Sequence, residues 1–206
     1  MTQKWWVFVD VGIVNLALAV VLVTDRDEWT VVHIERIDLT QLPSFPGEKY
    51  PRSREVADRM ERFFHAYGPT WLDPSDQIYI ERQPPTGLGH VEQLFFSRYR
   101  DKCTLLSPRS LHCFLGYKKT VVYTERKRRN TIVATDIMGQ HASPEMLGTW
   151  LQWLDNEERV HDIADCLCFA KMATSGLPRK PVVLDGGRSL MDLFGYRRAI
   201  KSKYFS

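Results

Sequence analysis

The sequence feature that most constrains the fold is a short, almost continuous run of apolar residues, Lys4–Val11. Such a run, without alternation between apolar and polar residues, is typical of a β-strand that is buried on both faces of its sheet. Gly12 interrupts the run, and two further apolar runs follow, Leu16–Thr24 and Trp29–Ile37. The second and third runs are separated only by the polar turn Asp25–Glu28, which indicates an antiparallel connection. We therefore predict that the chain opens with three antiparallel strands.

The rest of the chain alternates between helices and strands. In Arg52–Tyr67 apolar residues recur every three or four positions, which is the pattern of a helix with one buried face. The other predicted elements are the strands Gln77–Glu81 and Cys103–Leu106 and the helices Gly87–Arg100, Thr124–Gly139, one that opens at Ser143-Pro144, and His161–Ser175. Three antiparallel strands followed by alternating helices and strands predict an α/β fold, a mixed five-stranded sheet with helices on both faces. The length of 206 residues and the 44% hydrophobic content fit a single domain spanning residues 1–206.

Charge is spread unevenly along the chain, although the formal net charge is only +3. No acidic residue lies between Asp101 and Glu125, and none follows Asp192. Basic residues do occur in both stretches, which predicts a basic face on an otherwise balanced protein.

Cysteine spacing and hydropathy exclude several classes of protein. None of the four cysteines forms a Cys-x-x-Cys pair, so buried, reduced thiols are favoured over a zinc site; they are Cys103, Cys113, Cys166 and Cys168. The longest apolar run, Leu16–Val23, is too short to span a membrane. No signal or transit peptide precedes the first strand, and we expect an intracellular protein that acts in the compartment where it is made.

Four carboxylates stand out by their positions. Asp10 ends the first buried strand, and Glu81 ends the Gln77–Glu81 strand. Asp162 and Asp165 are three residues apart on the last helix, so they project from one face beside its apolar stripe. Taken singly, a strand-terminal Asp is commonly a turn residue, and an Asp-x-x-Asp pair on a helix is commonly a solvated face.

Their joint arrangement favours a metal site over these individual explanations. Carboxylates near a core are costly unless a cation compensates them. Magnesium or manganese prefers such oxygen ligands. Two such ions about 4 Å apart could hold the attacking water and the leaving 3′ oxygen of a phosphodiester in line.

Three motifs resemble a known family. Asp10–Ala17 is similar to the Asp-x-Gly-x-x-Asn-Leu-Ala opening of RuvC-like Holliday junction resolvases, as found in poxviruses, related large DNA viruses and mitochondria. Ile80–Gln83 resembles their Ile-Glu-x-Gln segment, and His161–Leu167 resembles their closing Asp-Asp-x-Ala-Asp-x-Leu segment. The resemblance covers the chain from Trp5 to about Ala173.

This resemblance carries specific expectations. It implies the RNase H-like fold and a homodimer that cuts four-way DNA junctions at paired sites. It also implies two Mg²⁺ or Mn²⁺ ions per active site, held by Asp10, Glu81, Asp162 and Asp165. His161 stands where the family often has a basic residue or a further Asp, so it is either a helix-start residue or a helper that contacts metal or phosphate. Because no transit peptide is present, the viral form fits better than the mitochondrial one, which places the protein at a viral replication site.

A basic segment flanks the start of the third predicted helix, Thr124–Gly139. We predict that it binds DNA phosphates, although a solvated surface run is the alternative; its residues are Lys118, Lys119, Arg126, Lys127, Arg128 and Arg129. Family members carry a functionally important lysine in this region, which matches Lys127 best and Lys119 second. Gln83 is either a residue that orients the DNA strand near Glu81 or a plain loop residue. Tyr117 or Tyr123 could stack on a base.

Three functions are compatible with these observations. The first is a junction-resolving endonuclease. The second is another RNase H-fold enzyme (a ribonuclease H, an exonuclease or an integrase-like enzyme), and the third is a non-catalytic DNA-binding protein on this fold. All four acids are present, which argues against the third. The Asn15–Ala17 extension and the late Asp-x-x-Asp pair favour the first over the second.

Overall fold

A computed structural model describes residues 3–25, 28–118, 120–156 and 159–176 of the chain. Lys119 and the predicted basic stretch after Asp192 lie outside the described residues. That residues 1–206 form one domain therefore stays a prediction.

The centre of the structure is the mixed five-stranded sheet that the sequence predicts. Its strands are β1 (Lys4–Asp10), β2 (Leu16–Asp25), β3 (Glu28–Ile37), β4 (Gln77–Glu81) and β5 (Cys103–Leu106). They lie in the order β3-β2-β1-β4-β5, with β2 antiparallel to both β1 and β3. The second half of the sheet is parallel, since β4 pairs in parallel with both β1 and β5. As a result β1 and β4, the two strands that end in acidic residues, are direct neighbours.

Helices cover both faces, as predicted. They are α1 (Val56–Tyr67), α2 (Gly89–Arg98), α3 (Pro108–Phe114), α4 (Tyr123–His141), α5 (Pro144–Asp155) and α6 (His161–Thr174). A π-helical turn, Gly68–Leu72, extends α1, and a 3₁₀ turn, Arg100–Lys102, precedes β5. Strand β1 shows the division between the layers: Phe8 packs with α4 and α6, whereas Val7 and Val9 pack with α1 and α2. The aromatic residues Phe63, Phe95 and Trp150 are fully buried in these two cores.

Two elements differ from the sequence prediction. Helix α1 begins at Val56 and not at Arg52, because the preceding loop is held in a non-helical path by Arg62, which donates hydrogen bonds to the carbonyls of Tyr50, Pro51 and Ser53. Helix α3 was not predicted. Its start has the usual signal, since the Ser107 hydroxyl accepts the Arg109 N–H and proline follows at the first helical position.

The cysteines only partly match their predicted burial. Cys166 and Cys168 on α6 are buried, and burial raises the pKa of both thiols. Cys103 is half-buried, and Cys113 is exposed, so the prediction of a buried thiol was wrong for Cys113. Helix α3 is only seven residues long and buries Leu111, which leaves Cys113 on its solvent side.

Within the described residues, no helix combines the length and the apolar character needed to cross a membrane.

Candidate active site

The carboxylates of Asp10 and Glu81 meet at one edge of the sheet. In the parallel pair β1–β4, Val9 lies opposite Ile80, and the next residue on each strand is Asp10 or Glu81. The two side chains are close enough that each shifts the pKa of the other, and they can share a hydrogen bond when one of them is protonated. The pairing of β1 with β4 thus brings Asp10 next to Glu81, which the sequence could only suggest.

The turn after Asp10 explains the glycine of the first motif. Residues 11–15 turn the chain back so that Ala17 pairs with Asp10. A Cβ atom on Gly12 would lie 2.5 Å from the carbonyl oxygen of Asn15, which is a severe clash. Glycine therefore lets the turn close tightly against the end of β1 and keeps Asp10 in place.

Helix α6 brings the second pair of acids to the same edge. It is buried along nearly its whole length and packs against β1, β2 and α4. Asp162 lies in its first turn, where the helix dipole favours a negative charge, and Asp165 lies one turn further. Both are as buried as Asp10: the exposed fractions are 6% for Asp162, 7% for Asp165 and 9% for Asp10. The structure thus gathers all four predicted acids from β1, β4 and α6.

This cluster is electrostatically strained. Burial raises the pKa of Asp10 well above its usual range, and the neighbouring charge of Glu81 raises it further. Burial also raises the pKa of Glu81, although the hydrogen bond with Asp10 opposes the shift. The two carboxyl groups therefore favour sharing a proton, as expected for buried acids whose negative charge is incompletely compensated.

Lys127 supplies the main positive charge within the cluster. Its ammonium group on α4 lies 2.5 Å from Asp165 Oδ2 and 3.6 Å from Asp162 Oδ1. Burial alone would lower the pKa of Lys127, but the charges of Asp165, Asp10 and Asp162 outweigh burial and raise it. The structure thus places Lys127, the first choice of the sequence analysis, in direct contact with two of the four acids.

Two uncharged residues fix the orientation of Asp165: Asn130, which was not predicted from the sequence, and Tyr117, which was predicted only as a base-stacking candidate. The Asn130 amide donates to Asp165 Oδ1 at 2.6 Å, and the Tyr117 hydroxyl donates to Asn130 Oδ1 at 2.6 Å. Asn130 follows Lys127 by three residues, so both side chains project from one face of α4. That spacing was the available signal, whereas the role of Tyr117 depends on a tertiary contact with α4 that no local pattern predicts.

Asp162 has a less complete set of partners. Among the described residues its Oδ2 atom is buried without a hydrogen-bond partner, although Arg159 Nε lies 3.0 Å away outside hydrogen-bond alignment. Arg159 Nε is also 3.0 Å from His161 Nε2, to which it donates a hydrogen bond. Burial lowers the pKa of His161, which favours this neutral, accepting form. His161 lies 3.5 Å from Asp162 Oδ1, so both interpretations of His161 stay open.

The Lys127 ammonium lies among the four acids and contacts Asp165 and Asp162. Within the described part of the chain, no three His, Cys, Asp or Glu side chains are spaced to share one metal ion. The donor set nevertheless suits a hard divalent cation, because it offers carboxylate oxygens, a strained acid pair and Asp162 Oδ2, which lies 3.0 Å from Arg159 Nε but accepts no hydrogen bond from the described residues. The Lys127 ammonium would compete with a cation for Asp165 Oδ2 and Asp162 Oδ1, the two oxygens that it contacts.

The basic side chains of the predicted segment differ in whether they have an acidic partner. Arg128 and Arg129 both pair with Glu125 on the same helix, at 2.9 Å and 2.7 Å. Arg126 Nη1 lies 3.4 Å from His112 Nδ1, and Lys118 is exposed. The positive charge available to a ligand is therefore lower than the sequence suggests, since Glu125 offsets part of it.

The remaining candidates are Gln83, Tyr117 and Tyr123, and their contacts differ. Gln83 donates its backbone N–H to Glu92 and its side-chain amide to the Glu81 carbonyl, which are loop-stabilising contacts. Tyr117 is committed to Asn130, whereas Tyr123 is 58% exposed at the start of α4. Of the two tyrosines, Tyr123 is the one that can stack on a base, and Arg126 and Lys127 lie over its ring at 5.9 Å and 5.6 Å.

We expect Asp10→Asn to stabilise the metal-free protein. The amide removes a buried, strained charge and can still donate a hydrogen bond to Glu81. A gain on the order of 1 kcal/mol would raise the melting temperature by roughly 2–4 °C for a chain of this size. Asp76→Asn is the matched control, because Asp76 is exposed and its carboxylate accepts the Trp5 N–H at 2.7 Å. Equal melting temperatures for Asp10→Asn and the wild type would contradict the claim that the charge of Asp10 destabilises the metal-free protein.

In sequence comparisons, no protein-family model and no curated protein matches this chain. Solved structures do match. The Holliday junction resolvase of fowlpox virus has a TM-score of 0.53 at 17% identity, covering 82% of this chain and 98% of that chain. The fowlpox virus resolvase in complex with its substrate Holliday junction DNA also has a TM-score of 0.53, at 14% identity, covering 82% and 97%. The yeast mitochondrial Holliday junction resolvase Ydc2 has a TM-score of 0.55 at 15% identity, covering 96% and 85%. The predicted RNase H-like, RuvC-like fold is thereby confirmed.

Proposed function

We propose that this chain is a metal-dependent endonuclease that resolves four-way DNA junctions. The observation that carries the proposal is the convergence of three buried carboxylates, Asp10, Asp162 and Asp165, and the partly buried Glu81 at one edge of the sheet. Holding four acids together with so little exposure to solvent costs stability. Such a cost is typical of an active site, where strain is retained for function.

Asp10, Glu81, Asp162 and Asp165 would hold the metal, with Mg²⁺ or Mn²⁺ as the fitting ions and two per site as the expected number. When bound, the metal supplies an activated water and stabilises the leaving 3′ oxygen of the phosphodiester. The protein's own contribution is orientation. Asn130 and Tyr117 fix one oxygen of Asp165, while the Gly12 turn fixes the end of β1.

Lys127 is the proposed catalytic residue beside the four acids. In the structure its ammonium neutralises Asp165 and Asp162. A cation held by these acids would take over that neutralisation, and the Lys127 ammonium would then be available to donate a hydrogen bond to a non-bridging oxygen of the scissile phosphate.

Four-way junctions are favoured over other nucleic acids by two features. All three structural neighbours described above are Holliday junction resolvases by name, and one is in complex with its substrate junction. The motifs at Asp10–Ala17 and His161–Leu167 also resemble those of junction resolvases. Other RNase H-fold enzymes, such as ribonuclease H, are the alternative. The resemblance to viral resolvases further suggests a viral replication site as the place of action.

The proposal is tested by incubating the protein with labelled substrates in Mg²⁺, in Mn²⁺ and in a chelator. The substrates are a mobile four-way junction, a linear duplex of the same sequence and an RNA–DNA hybrid. We expect metal-dependent, paired cuts in the junction, and little cutting of the duplex or the hybrid. Preferential cutting of the hybrid would instead indicate a ribonuclease H, and junction binding without cutting in either metal would indicate a non-catalytic DNA-binding protein.

Paired cutting also predicts a homodimer. Two opposed strands can be cut symmetrically only by two active sites related by a two-fold axis, and cyclic dimers are the commonest assembly. Light scattering should therefore give about twice the chain mass of 24.0 kDa. A strict monomer that still makes paired cuts at the same protein concentration would contradict this prediction.

DNA binding is proposed to involve the basic segment at the start of α4, namely Lys118, Lys119, Arg126, Lys127, Arg128 and Arg129. Lys118 and Arg126 have no carboxylate partner among the described residues, so we expect them to contribute more than Arg128 or Arg129, which pair with Glu125. Tyr123 is exposed beside them and is the proposed stacking residue.

A further inference from the structure

A second basic site lies on the opposite helical layer, in the loop between β3 and α1. Four arginines, Arg52, Arg54, Arg59 and Arg62, line a cleft of about 490 Å³ together with Ser53, Thr40 and other uncharged residues. None of the described residues that line this cleft is acidic. A cleft with this lining attracts an anion.

One of the four arginines stabilises the loop that forms the cleft, and the other three are available to bind a ligand. Arg62 is only 7% exposed and donates to Glu48 at 2.9 Å and to three loop carbonyls. Its charge is therefore offset by Glu48, and its role is to hold the loop in shape. For Arg52, Arg54 and Arg59 the described residues provide no side-chain hydrogen bond and no ion pair. Glu55 and Asp58 line a neighbouring cleft with Arg52 but not this one.

The cleft lies at the same edge of the sheet as the four carboxylates. Strand β2 starts beside Asp10, and the end of β3 pairs with that start, since Ile37 lies opposite Leu16. The chain then passes Leu39, whose N–H donates to the Ile13 carbonyl in the turn after β1, and reaches Thr40 at the cleft. The basic segment of α4 approaches the carboxylates from the other layer, through Lys127. The two basic sites therefore flank the acids.

We propose that the cleft formed by Arg52, Arg54 and Arg59 binds backbone phosphates of a DNA arm that crosses this edge of the sheet from the α4 layer to the α1 layer. The proposal rests on the proposed function, because it assumes that the carboxylates act on DNA. Free arginines suit the task, since a guanidinium binds phosphate oxygens through two parallel hydrogen bonds. Contacts of this kind position the duplex and carry no base preference.

The experiment is a salt series of DNA binding, without divalent metal so that no DNA is cut. It compares the wild type with Arg52→Gln/Arg54→Gln/Arg59→Gln on a four-way junction and on a linear duplex. The matched control, Lys4→Gln/Arg98→Gln/Arg100→Gln, removes three exposed positive charges at the opposite edge of the sheet, near the start of β1 and the end of α2. Arg52→Gln/Arg54→Gln alters only exposed positions and serves as a second variant whose folding is not at risk.

We expect the triple variant to bind about tenfold more weakly, with the slope of log affinity against log salt reduced by about one unit for each phosphate that is no longer bound. The control variant should retain the wild-type slope. On junctions with progressively shorter arms, the difference between the triple variant and the wild type should vanish, which loss of folding would not produce. An unchanged slope in both the triple and the double variant overturns the proposal, whether or not the protein cuts junctions. If the wild type does not prefer or cut junctions but the slopes on duplex DNA still separate, the proposed function fails and the phosphate site stands.

Discussion

Each of the four variants Asp10→Asn, Glu81→Gln, Asp162→Asn and Asp165→Asn is expected to lower the rate of junction cleavage about 10³-fold or more while leaving junction binding nearly intact. Every substitution removes the charge of a proposed metal ligand and keeps the shape of the side chain. Metal ions in such sites contribute several kcal/mol of transition-state stabilisation, and each 1.4 kcal/mol is about a factor of ten in rate. Cleavage is measured in single-turnover assays and binding by fluorescence anisotropy.

The control for these variants is Glu61→Gln. Glu61 is exposed on α1, 3.6 Å from Arg98, and takes no part in the cluster. It should cut at the wild-type rate. Near-normal cleavage by two or more of the four carboxylate variants would show that the cluster does not carry the chemistry. Selective loss in one variant alone would point to a structural role of that residue.

Lys127→Met is expected to have the second-largest effect, a loss of about 10²-fold or more in cleavage rate with junction binding kept. Methionine preserves the apolar stem that packs beside Asp165 but removes the charge that would contact the scissile phosphate. Loss of one such donor in a preorganised site typically costs 10²–10³ in rate. Single-turnover cleavage at saturating Mg²⁺ is the measurement.

Arg128→Met is the matched control, because Arg128 lies one residue away on α4 but pairs with Glu125. At a protein concentration that saturates the junction, so that the small expected share of Arg128 in DNA binding has no effect, it should cut at nearly the wild-type rate. The alternative role of Lys127, as a stand-in for the metal, predicts the opposite result for Lys127→Met. In that case the variant would need less Mg²⁺ for half-maximal cleavage and would cut normally once saturated, which would contradict a catalytic role.

Much of the site could be predicted because its components are local patterns. The apolar run of β1 and the short strand β4 each end in an acid, and the carboxyl ends of parallel strands meet at one edge of a sheet. The three-residue spacing of Asp162 and Asp165 places them on one helix face whatever the helix packs against. Side chains change direction with a period of two residues in a strand and 3.6 residues in a helix, and these periods follow from backbone geometry alone. They can therefore be recognised in a sequence without any knowledge of tertiary contacts.

What the tertiary structure decided is which distant residues meet. The family resemblance favoured Lys127 over Lys119, but only the packing of α4 against α6 sets the Lys127 ammonium against Asp165. The Tyr117–Asn130–Asp165 chain joins residues up to 48 positions apart through that packing.

The same holds for the arginine cleft. Arg52 and Arg54 were assigned by helical periodicity to α1, yet Arg62 holds their segment as a loop by bonding carbonyls 9–12 residues earlier in the chain. A buried guanidinium must satisfy its donors wherever acceptors are within reach, and this requirement outweighs local helix propensity. Sequence by itself therefore determined the elements and their acidic ends, while long-range hydrogen bonding and packing determined the partners of those acids and the shape of the surfaces beside them.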